Sequence, residues 1–369
     1  MPRILLAFDS FKGCLTSAEV AEAVAQGLRR SCPDAELTLL TMSDGGDGML
    51  DAFAAAMHAR IETLAVHDPL MRPVQARMGR TDDGNTVIIE MAEASGLHLL
   101  SPDERHPLAT SSFGTGELIA EALRRGCGKI VVGLGGSATS DAGIGMLQAL
   151  GMKIRHDSSS PSNEREPHFD FSELSPTLRT TEFVIACDVT NPLLGSSGAA
   201  HVFAPQKGAT PAEVEELERR ARQFAEAVAA FTGCDYASVT GAGAAGGVGF
   251  ALMAFVNSHM VSGAELLLEQ LRFDSLLDRA DWVLTGEGSS DRQTLMGKLP
   301  QVVLQHAQRK SVPVILCSGQ LHGADALRSA GFADVQSFNP PDLPLSDAVR
   351  PEVARQQLFR HFSAFRLPQ

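Results

Sequence analysis

The sequence predicts an α/β fold with a largely parallel sheet, and three observations predict it. Short apolar runs alternate with segments of helical periodicity. The strand-like runs end in loops of small and acidic residues: Asp9-Ser10, Ser43 to Gly48, Gly135-Gly136-Ser137, Asp188 to Asn191 and Gly286-Glu287-Gly288. In open α/β sheets, ligands bind beyond the carboxyl ends of strands, so such loops suggest one cleft assembled from several segments. A chain of 369 residues also exceeds one small core, so two domains are expected.

Taken in order, Ile4 to Ala7 reads as a strand. Thr16 and Glu19 form a capping box, and Val20, Ala23, Val24 and Leu28 then share one helical face. Leu37 to Thr41 is the next strand and Gly48 to Met57 the next helix. Val87 to Met91 reads as a strand, with Val74 to Met78 as its partner. Ile130 to Gly133 is a strand, and Ile144 to Leu150 a helix. The stretch Arg155 to Pro167 is rich in Ser, Pro and charge, which suits an exposed loop. Val184 to Ala186 is strand-like. Thr210-Pro211-Ala212-Glu213 combines a cap, a first-turn proline and a capping-box Glu, and Val214 to Phe231 continues at helical spacing until Gly233. Val248 to Phe255 is a helix, and Trp282 to Thr285 and Val312 to Leu316 are strands. No fixed-period repeat is present.

A net charge of −13 argues against nucleic acid or an anionic membrane as the main partner. An anionic substrate would need a local basic site, which magnesium would assist. The six cysteines are scattered without a C-x-x-C pair, as expected of reduced thiols in the cytoplasm. The apolar start is too short for a signal peptide, and no apolar run reaches membrane-spanning length. Homo-oligomerisation is left open.

Lysine is scarce, with six among 31 Lys+Arg, and three of the six lie beside glycine in polar loops: Lys12, Lys207 and Lys298. A compact, mobile ammonium next to backbone amides freed by glycine suits a phosphate or carboxylate. In Gly133-Leu134-Gly135-Gly136-Ser137-Ala138-Thr139 a strand enters a glycine turn and then a helix, a setting able to cradle phosphates. Asp44 is a candidate for magnesium or a hydroxyl, with Asp47 as a helix cap. Asp188 and Asn191 could orient a small polar substrate, and Glu287 and Asp291 lie close to Lys298. Gly241 to Gly246 matches G-x-G-x-x-G literally, with Glu265 about 20 residues on. Its lead-in is a poor strand, so it reads as close backbone packing. No Walker A motif, H-R-D loop or H-E-x-x-H is present, and no histidine has a partner at metal-ligand spacing.

Several of these strings, in this order, resemble the bacterial type of glycerate kinase. They are Asp9-Ser10-Phe11-Lys12-Gly13, Asp44-Gly45-Gly46, Glu90 to Leu97, Thr115-Gly116-Glu117, Gly133 to Thr139, Ala186 to Leu193, Pro205 to Ala209, Gly241 to Gly247 and Thr285 to Gly288. Departures include Ser289-Ser290-Asp291-Arg292, where the family often has Arg-Ile before the Asp and a small residue after it. The resemblance implies a Rossmann-like parallel-sheet domain formed by both chain ends, 1–66 and 263–369. A second α/β domain, 67–262, is inserted, with the active-site cleft between them. It further implies transfer of a phosphoryl group from ATP, with Mg²⁺, to D-glycerate, giving 2-phosphoglycerate. On that basis Lys12 and Lys298 are expected to meet the substrate carboxylate or the transferring phosphate, and Asp188 to accept the hydroxyl proton. Asp9, Ser10, Asp44, Asn191, Lys207, Glu287 and Asp291 are expected around the substrate. Gly135, Gly136, Ser137 and Thr139 would contact the nucleotide phosphates, and Asp44 and Asp291 would hold Mg²⁺. The competing readings are a nicotinamide-dependent dehydrogenase built on Gly241 to Gly246 and a non-catalytic metabolite-binding regulator.

Overall fold

In the computed structural model, which describes residues 1–156 and 167–368, the apolar run Arg3–Phe8 (β1) becomes the inner strand of a sheet. The helix Ser17–Ser31 follows, opened by the Thr16–Glu19 capping box, and leads to β2 (Glu36–Leu39). After the helix Met49–Met57 the chain enters a second unit, His58–Val261. Its strands are β3 (Arg60–His67), β4 (Pro73–Arg80), β5 (Thr86–Glu90), β6 (Lys129–Gly133), β7 (Lys153–His156), β8 (Pro167–Asp170), β9 (Glu182–Ala186) and β10 (Asn257–Val261). The chain then returns to the first unit through β11 (Trp282–Gly286), β12 (Ser289–Ser290), β13 (Val314–Ser318), β14 (Gln320–Leu321) and β15 (Asp334–Ser337).

The first unit, Met1–Met57 with Ser262–Gln369, holds a five-stranded sheet in the order β15-β13-β11-β1-β2, parallel throughout. Leu6, Phe8, Val24, Leu28, Leu284 and Phe362 pack into its core. The helix Pro351–Ser363 lies so close to Ser17–Ser31 that a Cβ on Gly27 would come within 2.6 Å of Phe362 Cβ. The second unit holds a six-stranded sheet, β10-β9-β6-β5-β4-β3, parallel from β10 to β5 and antiparallel at β4 and β3. Its largest helix, Pro211–Thr232, has the Thr210–Glu213 capping box and ends at Gly233 with φ of +75°.

Three local differences from the sequence reading have physical reasons. The first unit is left after Met57, ahead of the expected 66, because β3 pairs with β4 from Arg60↔Arg80 to His67↔Pro73. The strand expected at 312–316 runs from Val314 to Ser318, since Pro313 has no N–H to give a ladder. Of the loop expected from Arg155 to Pro167, both ends are strand, β7 pairing with β8, and 157–166 lie outside the described residues.

Candidate active site

β1 and β11 lie side by side, yet the chain leaves them in opposite directions. From β1 it passes to β2 on one flank, and from β11 to β13 and β15 on the other. Ligands of open parallel sheets bind at such a switch point, outside the carboxyl ends. The Asp9 N–H donates to the Gly286 carbonyl at 2.9 Å, so the two strand exits are pinned together. Beyond them opens a cavity of about 330 Å³ whose polar lining includes Asp9, Ser10, Lys12, Asp44, Glu287 and Lys298. Phe11 and Phe338, stacked at 5.4 Å, contribute an apolar wall.

Each of these side chains is held by its neighbours. Asp9 is buried, and its Oδ1 accepts the Ser10 N–H at 2.8 Å. Its pKa is pushed up to about 8, first by burial and then by the charge of Asp44, against the pull of the Ser10 N–H and Lys12. Asp44 leaves a glycine turn in which its Oδ1 accepts the Gly46 N–H at 3.0 Å. Gly263 presses on this turn: a Cβ there would lie 2.3 Å from the Asp44 carbonyl. Glu287 is buried, with Oε1 accepting from Thr294 Oγ1 at 2.6 Å and Ser290 Oγ at 3.2 Å. Its Oε2 accepts from Lys298 Nζ at 3.0 Å. Lys12 is exposed in the turn after Asp9.

Asp291 is placed differently from its expected role. Its Oδ1 accepts the Gln293 N–H at 2.6 Å and caps the short helix Arg292–Leu295, and it is not among the residues lining the cavity. The signal was in the sequence, since aspartate is among the favoured N-cap residues.

The other candidates belong to the second unit, where β6 and β9 are parallel neighbours ending in register at Gly133↔Ala186. The Gly135 to Thr139 loop and the Cys187 to Asn191 loop therefore leave adjacent strand ends. Asp188 is exposed, and Asn191 donates through Nδ2 to the Ser197 carbonyl at 2.8 Å. Gly136 has φ of +67° and is exposed, while Ser137 is nearly covered. Thr139 is fully buried, so its side chain faces inward.

Lys207 corrects the sequence reading most sharply. It is buried in the short helix Pro205–Lys207, and its Nζ donates to Ser137 Oγ at 2.9 Å and to the Thr139 carbonyl at 2.7 Å. Burial lowers its pKa to about 8, with Asp141 opposing the shift. It grips the glycine loop instead of lying open to a substrate.

The Gly241 to Gly247 run is a packing surface. A Cβ at Gly246 would lie 2.1 Å from the Thr139 carbonyl, and one at Gly243 2.3 Å from the Pro192 carbonyl. No strand precedes it as a dinucleotide fingerprint requires; among the described residues its neighbours are turns and the helix Val248–Phe255.

The described helices include none long and apolar enough to cross a membrane. The family model described as "Glycerate kinase family" matches residues 4–364. The chain is 41% identical to the glycerate 2-kinase of Escherichia coli K12, over 89% of this chain and 90% of that protein. It is 39% identical to a glycerate kinase of Halalkalibacterium halodurans, over 95% of this chain and 94% of that one. A crystal structure described as "putative glycerate kinase 2 from Salmonella typhimurium LT2" superposes with a TM-score of 0.81 at 38% identity, covering 98% of this chain and 96% of that one. A match that spans nearly the full length, through every loop described above, places this chain in the glycerate kinase family.

Proposed function

We propose that this protein transfers the γ-phosphoryl group of ATP to the 2-hydroxyl of D-glycerate, forming 2-phosphoglycerate and ADP. The observation that carries this reading is the cavity at the β1/β11 switch point. There, two ammonium groups, Lys12 and Lys298, stand among three carboxyl groups of a chain whose net charge is −13. Such a site offers a small hydroxy-acid anion both a counter-charge and acceptors for its hydroxyls. Phosphoryl transfer asks the protein for alignment and charge neutralisation more than for covalent chemistry.

In this reading Lys12 and Lys298 meet the glycerate carboxylate or the transferring phosphate, and Ser10 and Asp9 bind beside them. Asn191 orients substrate, and Asp188 takes the hydroxyl proton as the oxygen bonds to phosphorus and ADP leaves. Gly135, Gly136 and Ser137 contact the nucleotide phosphates.

Mg²⁺ needs few protein ligands, because phosphate oxygens and water supply the rest. Among the described residues no cluster of three or more His, Cys, Asp or Glu forms a metal cage. Asp44 fits the lesser requirement: it is half-buried on the cavity wall, with its Oδ1 engaged by Gly46. When bound, the ion would neutralise the phosphate oxygens.

The test is purified protein with ATP, MgCl₂ and D-glycerate, with ADP release followed and the product isomer assigned by NMR. The expected product is 2-phosphoglycerate. The 3-phosphate would overturn the regiochemistry, and no glycerate-dependent ADP would overturn the reading.

A further inference from the structure

A buried lysine whose hydrogen bonds, among the described residues, go to a loop serine and a loop carbonyl invites a question about purpose. The Gly135 to Thr139 loop is already anchored without it: Leu97 N–H donates to the Gly136 carbonyl at 2.8 Å, and Ala138 N–H donates to the Ser95 carbonyl at 2.8 Å. Holding a loop with a buried ammonium is expensive, because the charge must be stripped of water, and neutral groups can do the same at less cost. The ammonium must therefore supply something a neutral group would not.

What it supplies is direction and charge. A serine hydroxyl has one proton and accepts through its lone pairs. With Lys207 Nζ donating to Ser137 Oγ at 2.9 Å, the oxygen acts as acceptor on its inner side. Its own proton is left to point elsewhere, and no acceptor for it is found among the described residues. The ammonium also polarises that O–H, since charge-assisted hydrogen bonds are stronger and coupled bonds reinforce one another. A second bond, to the Thr139 carbonyl at 2.7 Å, fixes the far side of the loop. Gly208, at φ of +100°, seats the lysine's own turn so tightly that a Cβ would lie 2.2 Å from the Arg105 carbonyl. The amine is thus held in place from both directions.

We infer that Lys207 is a positioning residue that acts through Ser137, presetting the serine hydroxyl as a donor to an anionic phosphate oxygen of the nucleotide. The inference rests on the proposed function in taking the glycine loop as the phosphate site. A positive charge beneath the loop also gives an otherwise acidic chain a local attraction for an anion without touching it.

The test uses the full chain and calorimetric titration with MgADP in the absence of glycerate, so the readout does not need turnover. Ser137→Ala and Lys207→Met are each expected to weaken MgADP binding about tenfold, and the double variant no more than the weaker-binding single variant. In steady state the KM for ATP should rise with them while the KM for glycerate stays level. Ser137→Thr, which keeps the hydroxyl, should bind within about twofold of the unchanged protein. A double variant weakened about a hundredfold would show that the two residues act independently and would overturn the inference. MgADP affinity unchanged in Ser137→Ala would overturn it as well, whether or not Lys207→Met folds. If the unchanged protein binds MgADP in this Ser137-dependent way but releases no ADP with glycerate, the proposed substrate fails and the inference stands. Normal glycerate phosphorylation with Ser137→Ala at full nucleotide affinity gives the reverse.

Discussion

Lys298 Nζ lies 3.0 Å from Glu287 Oε2, while the other oxygen of that carboxylate takes hydroxyl bonds from Thr294 and Ser290. Both oxygens of the acid are engaged within its own unit, so it holds the lysine at the cavity. Lys298→Met should cut turnover on the order of 100-fold, the scale seen when one charge-stabilising donor is lost. It should also cost about 2 kcal/mol of stability, because Glu287 is left buried and charged. Adding Glu287→Gln should restore most of the melting temperature and none of the activity. Calorimetry and initial rates on the three variants check both parts.

Asp9 makes a separate prediction about pH. Its folded pKa is raised to about 8, so between the ordinary carboxylate range and that value the folded chain keeps a proton that the unfolded chain releases. Stability contributed by Asp9 is therefore full in acid and is lost as pH rises through this window. Asp9→Asn removes the buried charge and should flatten that dependence. The variant should melt a few degrees higher than the unchanged protein at pH 8.5 and much closer to it at pH 5, without metal or ligand. Activity should fall at both pH values, the usual cost of relieving a strained site.

How much of this was legible in the sequence depended on whether the signal was local. The Thr16–Glu19 and Thr210–Glu213 boxes and the apolar runs of β1, β5, β6 and β9 carry their own information, and each forms the expected element. Missed were β3, an edge strand whose RIETLAVH alternates exposed and half-buried positions, and β10, whose NSHMV is polar. Both are strands because a neighbour supplies the ladder, and propensity alone does not reveal a neighbour. The same holds in the candidate site. Small-acid loops mark strand ends, so Asp9 and Glu287 could be suspected together from periodicity and composition. Lys207 looked like Lys12 because both sit beside glycine, yet Lys207 is buried and Lys12 exposed. Its partner Ser137 is 70 residues away, beyond the reach of any spacing rule.

Gly246 offers a test of the packing that backs the Gly135 to Thr139 loop. Its φ is +65°, and an added Cβ would stand 2.1 Å from the Thr139 carbonyl and 2.7 Å from Ser140 Cα. Gly246→Ala must therefore displace the loop backbone or its own, at a cost of about 3 kcal/mol or more. The melting temperature should drop by several degrees, and the KM for ATP should rise more than the KM for glycerate. Gly233→Ala is the control: its φ is +75°, but no atom lies within 4 Å of the added Cβ. It should cost about 1 kcal/mol and leave both KM values unchanged.

Asp188 is the residue on which the chemical step of the proposed function turns. It is exposed just beyond β9, and Asn is nearly isosteric with it, so Asp188→Asn should leave the fold intact. A general base contributes roughly 10²–10⁴-fold to a rate, so Asp188→Asn should lower kcat at least about 100-fold. The amide keeps the size and hydrogen-bonding reach of the acid but cannot take a proton, which separates proton transfer from binding. KM for glycerate and MgADP affinity should therefore stay within about threefold. Normal turnover in this variant would move the base elsewhere, and Asp9, with its raised affinity for a proton, would be the next carboxylate to substitute.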